Sequence, residues 1–309
     1  MVRILITDGI EASARDKLCS LGFEVVEQFY TPDELGTALQ DFDILVVRSA
    51  TKVRKPVLDQ AMVKDRLKLI IRAGVGLDNI DVSYAMEHGI QVSNTPKSSS
   101  ISVAELTIAH MFSIARFLQI SNVSMRQGKW EKKLYQGIEL NGKTLGLVGF
   151  GRIAQEVAPR AKALGMKVIY TDLQPIKGAA YEWVDFQELL QQADFVSLHC
   201  PYNSEQGPLI AEKELANMKQ GAYLINCARG GLVSENALLE ALENGHLAGA
   251  CLDVFKNEPC TNQALLNHPR VSLSPHIGAS TIEAQKRIGE EVVSIIDNFS
   301  FSSILRTAS

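Results

Sequence analysis

Three polar residues each follow a short β-branched run: Arg229 in "LINCARGG", Glu258 in "LDVFKNEP" and His276 in "VSLSPHIG". An arginine presents a planar fork of donors that grips a carboxylate and polarises a carbonyl. A histidine titrates near neutral pH, so it can take a hydroxyl proton or return it. A carboxylate on the far ring nitrogen fixes the tautomer and stabilises the imidazolium. Arg229, Glu258 and His276 are therefore candidate catalytic residues for interconverting a secondary alcohol and a carbonyl. Taken singly, each has an ordinary alternative: a surface ion pair for Arg229, a turn cap before Pro259 for Glu258, a satisfied loop histidine for His276. Their joint placement at three strand ends is what favours chemistry.

Such a reaction needs a hydride acceptor, and "LGLVGFGRIAQEVAPRAKALGMKVIYTD" reads as its site. A strand leads to Gly149 and Gly151, Ala154 takes the third small position, a helix and second strand follow, and Asp172 closes the unit 23 residues after the first glycine. Gly149 permits a tight turn, and Gly151 lets the backbone approach a pyrophosphate at the helix N-terminus, where N–H groups and the dipole favour anions. Asp172 accepts from ribose hydroxyls and repels a 2′-phosphate, and "LQP" after it supplies no arginine. NAD rather than NADP is the expected cofactor.

The elements that must position these groups alternate. "VRILITD", "FEVVEQ", "DILVVRS", "LKLIIRAG" and "IQVSN" are strand-like runs separated by helical patterns, the rhythm of a parallel sheet with crossover helices. Thr31, Pro32 and Glu34 offer an N-cap, an N1 proline and a capping-box acid. The series stops near residue 96, where a serine cluster precedes a long helical pattern, with Ser102 and Glu105 spaced as its capping box. A second series, "KTLGLVGFG", "MKVIYTD", "DFVSLHC", "GAYLINCA", "AGACLDVF" and "VSLSP", runs to Ser280 and Glu283, which repeat the capping signature before a final helix. The fold class predicted is α/β, with two doubly wound parallel-sheet domains of Rossmann or flavodoxin type. A cofactor domain, 98–280, is inserted into a discontinuous substrate domain, 1–97 plus 281–309.

Composition sets the outer bounds. The chain has 309 residues, 46% hydrophobic and 21% charged, enough for two domains with cores of their own. The net charge of −4 leaves no basic surplus for nucleic acid or an anionic membrane. No apolar run approaches a membrane span, and "MVRILITDGI" enters a strand directly, so a cytoplasmic location is expected. The five cysteines, Cys19, Cys200, Cys227, Cys251 and Cys260, are scattered without a C-x-x-C pair, which predicts reduced thiols and no metal site.

"VRSATKV", "RAGVGLDNID", "NTP…SVAELT", "GKWEKK", "ELNGKTLGLVGFGRIA", "NCARGGLV", "LDVF…EP" and "PHIGAST" together resemble the D-2-hydroxyacid dehydrogenase family, most of all its phosphoglycerate-oxidising members. The resemblance implies the Arg229, Glu258 and His276 trio, with His276 as acid/base. It implies cofactor contacts at Val75, Gly149, Gly151, Arg152, Ile153, Asp172, His199, Cys200, Cys227, Ala228, Asp253, His276, Gly278 and Ala279. For the substrate it implies Arg48, Ser49, Lys52, Arg229, His276 and the "RAGVG" loop, Arg72, Ala73, Gly74, Val75 and Gly76, whose glycines let backbone N–H groups reach a carboxylate. Arg48, Lys52 and Arg72 are the cations expected to meet a phosphate, with solvated surface charge as the plain alternative. Closure of the "RAGVG" loop onto His276 is expected to exclude water. A homodimer through the cofactor domain is also implied.

Two departures qualify the likeness. "NTPKSSSIS" lacks the Gly-Asn that often follows the proline, and the chain ends soon after the final helix, so feedback inhibition by serine through a C-terminal module is not expected. The predicted activity is NAD-dependent oxidation of D-3-phosphoglycerate to 3-phosphohydroxypyruvate, the entry to serine synthesis. The alternatives are a hydroxypyruvate/glyoxylate or other D-2-hydroxyacid reductase on the same trio, and, from another class, an NAD(H)-sensing corepressor-like scaffold. His199 is the rival acid/base, while His88 and His110, in helical patterns, read as structural.

Overall fold

In the computed structural model, which describes residues 1–307, contacts divide the chain into two units. One joins Met1–Ser99 to the chain from Ala279 onward; the other is Ser100–Gly278.

In the first unit five strands, β1 (Arg3–Ile6), β2 (Glu24–Glu27), β3 (Ile44–Val47), β4 (Leu69–Arg72) and β5 (Gln91–Asn94), pair in parallel in the order β2-β1-β3-β4-β5. "RILI", "ILVV" and "LIIR" carry apolar residues on both faces because helices cover both. Ile4, Ile6, Ile44, Val46, Leu69 and Ile71 share one core with Ile288, Val292 and Ile296 of the final helix, Ile282–Thr307. Leu5, Leu45, Val47 and Ile70 face the other core, with Leu35, Leu39 and Leu58. Those come from α2 (Pro32–Leu39) and α3 (Lys55–Ala61), which follow α1 (Ala12–Ser20) and precede α4 (Val82–Glu87). The Glu34 carboxylate accepts the Thr31 N–H at 3.2 Å and its hydroxyl at 2.7 Å, with Pro32 at the first helical position. Gly289 of the final helix lies so close to α1 that a Cβ there would stand 2.6 Å from Ala14 Cβ.

In the second unit α5 (Ser100–Ala115), α6 (Leu118–Arg126), α7 (Arg152–Ala163), α8 (Phe186–Gln192), α9 (Glu212–Asn217), α10 (Glu235–Glu243) and α11 (Gln263–Leu266) surround seven strands. These are β6 (Thr144–Val148), β7 (Lys167–Thr171), β8 (Glu182–Trp183), β9 (Phe195–Leu198), β10 (Tyr223–Asn226), β11 (Gly249–Leu252) and β12 (Val271–Leu273). They pair in parallel in the order β12-β11-β10-β9-β6-β7-β8. The order reverses between β6 and β9, the switch point at whose carboxyl edge doubly wound sheets take ligands. The first sheet's order is flavodoxin-like and the second is the dinucleotide-binding order with one strand added, as the alternating pattern predicts.

Two caps differ from expectation, and one strand was not foreseen. α5 already begins at Ser100, so Ser102 is helical and buried rather than capping, and Glu105 reaches Arg160 of α7 at 3.9 Å. Packing along α7 overrides the local signature there. In the final helix the capping hydroxyl belongs to Thr281, which accepts from Ala284 N at 3.1 Å, one residue beyond Ser280; Thr281 has no acid three residues on, so the box signature pointed to its neighbour. β8 has two residues, too few to show a period.

Candidate active site

β12 ends at Leu273, and His276 sits three residues on with φ +54°, the left-handed region that L-residues rarely adopt. That conformation costs about 1–2 kcal/mol and is held here by several bonds. His276 N–H donates to the Asp253 carbonyl at 2.8 Å. The Asp253 carboxylate, only 1% exposed, accepts from Ser274 Oγ at 2.5 Å, Ile277 N at 2.8 Å and Gly278 N at 2.9 Å. A carboxylate has about four acceptor positions, so three are committed to the loop. Asp253, anticipated as a cofactor contact, is thus the clamp on the turn that carries His276.

On the side-chain side, Glu258 Oε2 lies 2.7 Å from His276 Nδ1, and Glu258 Oε1 accepts from Phe255 N at 3.1 Å. Both side chains are about one-third exposed, at 33% and 35%. With Nδ1–H donating to the carboxylate, Nε2 is the ring atom presented for proton transfer. The glutamate's loop is itself tied down. Lys256 N and Asn262 Nδ2 donate to the Glu235 carboxylate, at the start of α10, at 2.9 and 3.1 Å.

Arg229 follows β10 in a turn made by Asn226, 1% exposed, whose amide donates to Arg229 O at 2.8 Å and accepts from Ala228 N at 3.1 Å. Gly230 packs against the glutamate's loop so tightly that a Cβ would fall 1.9 Å from the Phe255 carbonyl carbon. The Arg229 and Glu258 loops therefore touch backbone to backbone, which a side chain at 230 would forbid. Arg229 Nη1 donates to Ala228 O at 2.6 Å.

At the switch point, Gly149 has φ +85°, and a Cβ there would sit 2.8 Å from the His199 carbonyl oxygen, so both conformation and space require glycine. Gly151 caps α7, and the position a Cβ would take is open. Arg152 is exposed, Ile153 half-buried, and Ala154 buried in the core. Phe150 stacks on Tyr170 at 4.1 Å between ring centroids, fixing the loop on β7. Asp172 accepts from Phe150 N and Leu173 N, each at 2.7 Å, one on each carboxylate oxygen, and keeps acceptor positions for ribose hydroxyls. The open helix N-terminus and the carboxylate at the end of β7 fit a dinucleotide without a 2′-phosphate.

The remaining cofactor candidates of the second unit line this edge or lie just behind it. His199 is paired through Nε2 with Ser197 Oγ at 2.9 Å, and burial pulls its ring down to about 4. It is therefore neutral near pH 7 and poorly matched to acid/base work there. Burial pushes the Cys200 thiol up to about 11 and the Cys227 thiol up to about 12, so both stay protonated. Cys227 belongs to the core cluster, Ala228 is half-buried beside it, and Gly278 is pressed against Asp253 and Val103. Half-buried Ala279 belongs to the first unit.

Within the first unit a second aspartate organises the candidate cation loop. Asp8 Oδ2 accepts from Arg48 N at 2.7 Å and Thr51 N at 3.1 Å, and Oδ1 accepts from Thr51 Oγ1 at 2.7 Å. Asn79 Nδ2 donates to Arg48 O and Thr51 O, both at 2.7 Å. Arg48 is half-buried, Ser49 and Lys52 are exposed, and Lys52 Nζ donates to Ser49 O at 3.1 Å. In the neighbouring loop Gly74 has φ +151°, and the Arg72 guanidinium covers it, with Nη1 1.3 Å from where a Cβ would be. Ala73 is buried, Gly76 half-buried, and Val75 O accepts from Asn94 Nδ2 at 2.5 Å. Asp8, Asn79, Asn226 and Ser274 were not singled out from sequence. For Asp8, Asn226 and Ser274 the signal was an Asx or serine residue at or just past a strand end, able to bond nearby backbone; Asn79, in the loop before α4, carried no such signal.

Among the described residues no group of three or more His, Cys, Asp or Glu side chains is placed to hold a metal ion. Nor is any single helix long and apolar enough to cross a membrane. Only α5 and α6 together, bent by 64°, reach that hydropathy, and α5 buries Val103, Met111 and Ile114 in the core.

Fold and site define a two-unit nucleotide-binding protein with a Glu–His pair at the carboxyl edge of its larger sheet. The family model for the D-isomer specific 2-hydroxyacid dehydrogenase NAD-binding domain matches residues 108–278. The chain belongs to the D-2-hydroxyacid dehydrogenase family and carries its NAD-binding domain. It is 46% identical over 294 residues to the D-3-phosphoglycerate dehydrogenase of Methanocaldococcus jannaschii, covering 94% of this chain and 56% of that protein. It is 45% identical over 296 residues to the hydroxypyruvate reductase of Thermotoga maritima, covering 94% of this chain and 96% of that one. A solved glyoxylate reductase from Paecilomyes thermophila superposes with a TM-score of 0.85 at 34% identity, covering 95% of this chain and 93% of the other.

Proposed function

We propose that this chain catalyses NAD-dependent interconversion of a D-2-hydroxy acid and its 2-oxo acid. The observation that carries the reading is the 2.7 Å contact of Glu258 Oε2 with His276 Nδ1, on the same sheet edge as the Gly149–Gly151 loop. Bound NAD supplies the hydride acceptor. As hydride leaves the carbinol carbon, His276 Nε2 takes the hydroxyl proton and Glu258 stabilises the imidazolium; in the reverse direction the same nitrogen returns it. Arg229 grips the substrate carboxylate and polarises the forming carbonyl.

The substrate favoured is D-3-phosphoglycerate. Support comes from "VRSATKV", whose Arg48 and Lys52 sit in a loop fixed by Asp8 and Asn79, and from the M. jannaschii relative. In this reading the phosphate meets Arg48 and Lys52, and the carboxylate meets the backbone of Arg72–Gly76. A second reading, a hydroxypyruvate reductase, is favoured by the T. maritima relative, which matches along 96% of its own length. Steady-state rates with D-3-phosphoglycerate and D-glycerate, each with NAD and NADP, separate the two. A kcat/KM about 100-fold higher for the phosphorylated acid is expected, the scale of two charge-assisted contacts of about tenfold each. Equal values would remove the phosphoglycerate assignment.

A second copy of the chain is the partner proposed, docked on α5, α6 and the segment after them. Phe112, Leu118, Val123, Met125, Trp130 and Leu134 are exposed there, Trp130 at 79%. Light scattering is expected to give twice the monomer mass, and Trp130→Glu to reduce it; a monomer at all concentrations would overturn this.

A further inference from the structure

We propose that His110 of α5 is a positioning residue for His276, acting through Ser274 and Asp253. The inference rests on the reading of His276 as the acid/base, and it concerns how that ring is held.

His110 is buried, 5% exposed, on a helix far from His276 in sequence. Its Nε2 lies 2.8 Å from Ser274 Oγ and its Nδ1 3.1 Å from Ser272 Oγ, which in turn lies 3.1 Å from Ser113 Oγ. Ser274 Oγ is 2.5 Å from Asp253 Oδ1, the oxygen that also accepts from Ile277 N. The next link is the backbone of His276 itself, donating to Asp253 O.

Counting protons gives the chain a direction. An ionised carboxylate only accepts, so Ser274 spends its one hydroxyl proton on Asp253. Its oxygen must then be the acceptor from His110, which puts a proton on His110 Nε2. Burial pulls this imidazole below its ordinary value, with Asp253 opposing, so the ring is neutral and Nδ1 carries the lone pair. The order is Nε2–H to Ser274 and Ser274 hydroxyl to Asp253; on the far side Ser272 has one hydroxyl proton for both Nδ1 and Ser113 Oγ, so the direction is set from the Asp253 end alone.

The Nδ1–H tautomer would take the Ser274 proton for itself and leave an oxygen lone pair facing a carboxylate at 2.5 Å. His110 therefore selects the rotor state of Ser274 that keeps Asp253 fully bonded. Asp253 in turn holds a left-handed turn at His276 that the chain would not keep alone. An apolar residue at 110 removes the donor to the Ser274 oxygen, so Ser274 keeps one bond where it had two and the acid/base ring loses its fixed aim.

Three variants and one spectroscopic readout test this. His110→Leu is expected to lower kcat about tenfold while the NAD dissociation constant stays within about twofold, since misplacing a reacting group costs rate rather than remote binding. His110→Gln, whose amide N–H can reach Ser274, is expected to restore most of the loss. Ser274→Ala removes the middle link with little change in volume, so it serves even if the leucine variant folds poorly, and it is expected to match His110→Leu.

Independently of turnover, nitrogen NMR of the wild-type protein is expected to show His110 as the Nε2–H tautomer. His110→Leu or Ser274→Ala is expected to move the His276 ring signals and leave those of His88 in place. A kcat within twofold of wild type in both variants, an Nδ1–H tautomer, or unmoved His276 signals would overturn the proposal. If the wild-type protein turns over no 2-hydroxy acid, the proposed function fails, and the ring signals alone decide whether His110 positions His276.

Discussion

The His276 loop and the Arg48–Lys52 loop are built on one plan, in different units. In each, an aspartate just past a strand collects donors from the loop after the neighbouring strand: Asp253 after β11 holds the loop after β12, and Asp8 after β1 holds the loop after β3. The difference is in what becomes of the side chains. His276 is fixed twice, by backbone at φ +54° and by its ring on Glu258, whereas among the described residues exposed Lys52 reaches the Ser49 carbonyl of its own loop. A group that moves a proton gains from a single orientation, because the reacting atoms must lie within hydrogen-bond reach. A group that meets a phosphate acts as a charge with several acceptable poses. The first loop should therefore govern kcat and the second KM.

The largest test of that division is His276→Ala, expected to lower kcat about 10²–10⁴-fold with NAD affinity nearly unchanged, as loss of a general acid/base does. Turnover within tenfold of wild type would show that another group moves the proton. Next is Asp253→Asn, which turns an acceptor oxygen into an amide N–H facing the loop donors. It is expected to reduce kcat by about tenfold or more and stability by about 1–3 kcal/mol, the cost of leaving buried donors unpaired, read by urea unfolding. If kcat falls without any loss of stability, Asp253 acts on substrate or cofactor instead of clamping the turn. Arg48→Ala is expected to raise KM for the phosphorylated acid about tenfold and leave kcat and the KM for an unphosphorylated acid within twofold. A matching fall in kcat would erase the contrast between the loops.

The sequence announced the elements better than the contacts. "ILVV" and "LIIR" read as buried parallel strands because their apolar residues fill both faces. Gly149, Ala154 and Asp172 read as a nucleotide turn because that turn is local, its parts fixed by one strand–loop–helix–strand unit. The clamps were illegible for the opposite reason. Asp8 and Arg48 are 40 positions apart, and His110 and Ser274 are 164 apart, joined only when non-consecutive elements pack. His110 looked structural because a helical pattern records that a face is buried and says nothing of which hydroxyl its ring meets. Likewise, family likeness pointed to Asp253 as a cofactor contact and carried no sign that its carboxylate also holds its own loop.

The last expected effect concerns His199 and is read in stability, with no change in turnover expected near pH 7. Burial holds the His199 ring at about 4, against an ordinary value of 6.5. Between those values the unfolded chain binds a proton that the folded chain refuses, so stability rises with pH across that window. The contribution is fully present above about pH 6.5 and is lost as pH falls toward about 4. Carboxylates titrate over part of the same range, so the informative quantity is the difference between wild type and His199→Gln, which cancels them. Urea midpoints at pH 7, 5.5 and 4.5 are expected to show the wild type losing ground to the variant as pH falls, because only the wild type must refuse a proton at this position. A difference that stays constant across the three pH values would mean that the His199 ring is solvated and charges normally. It would then re-enter as a candidate acid beside His276, and the assignment of proton transfer to the Glu258-bound ring would have to be decided by the kinetics of both alanine variants.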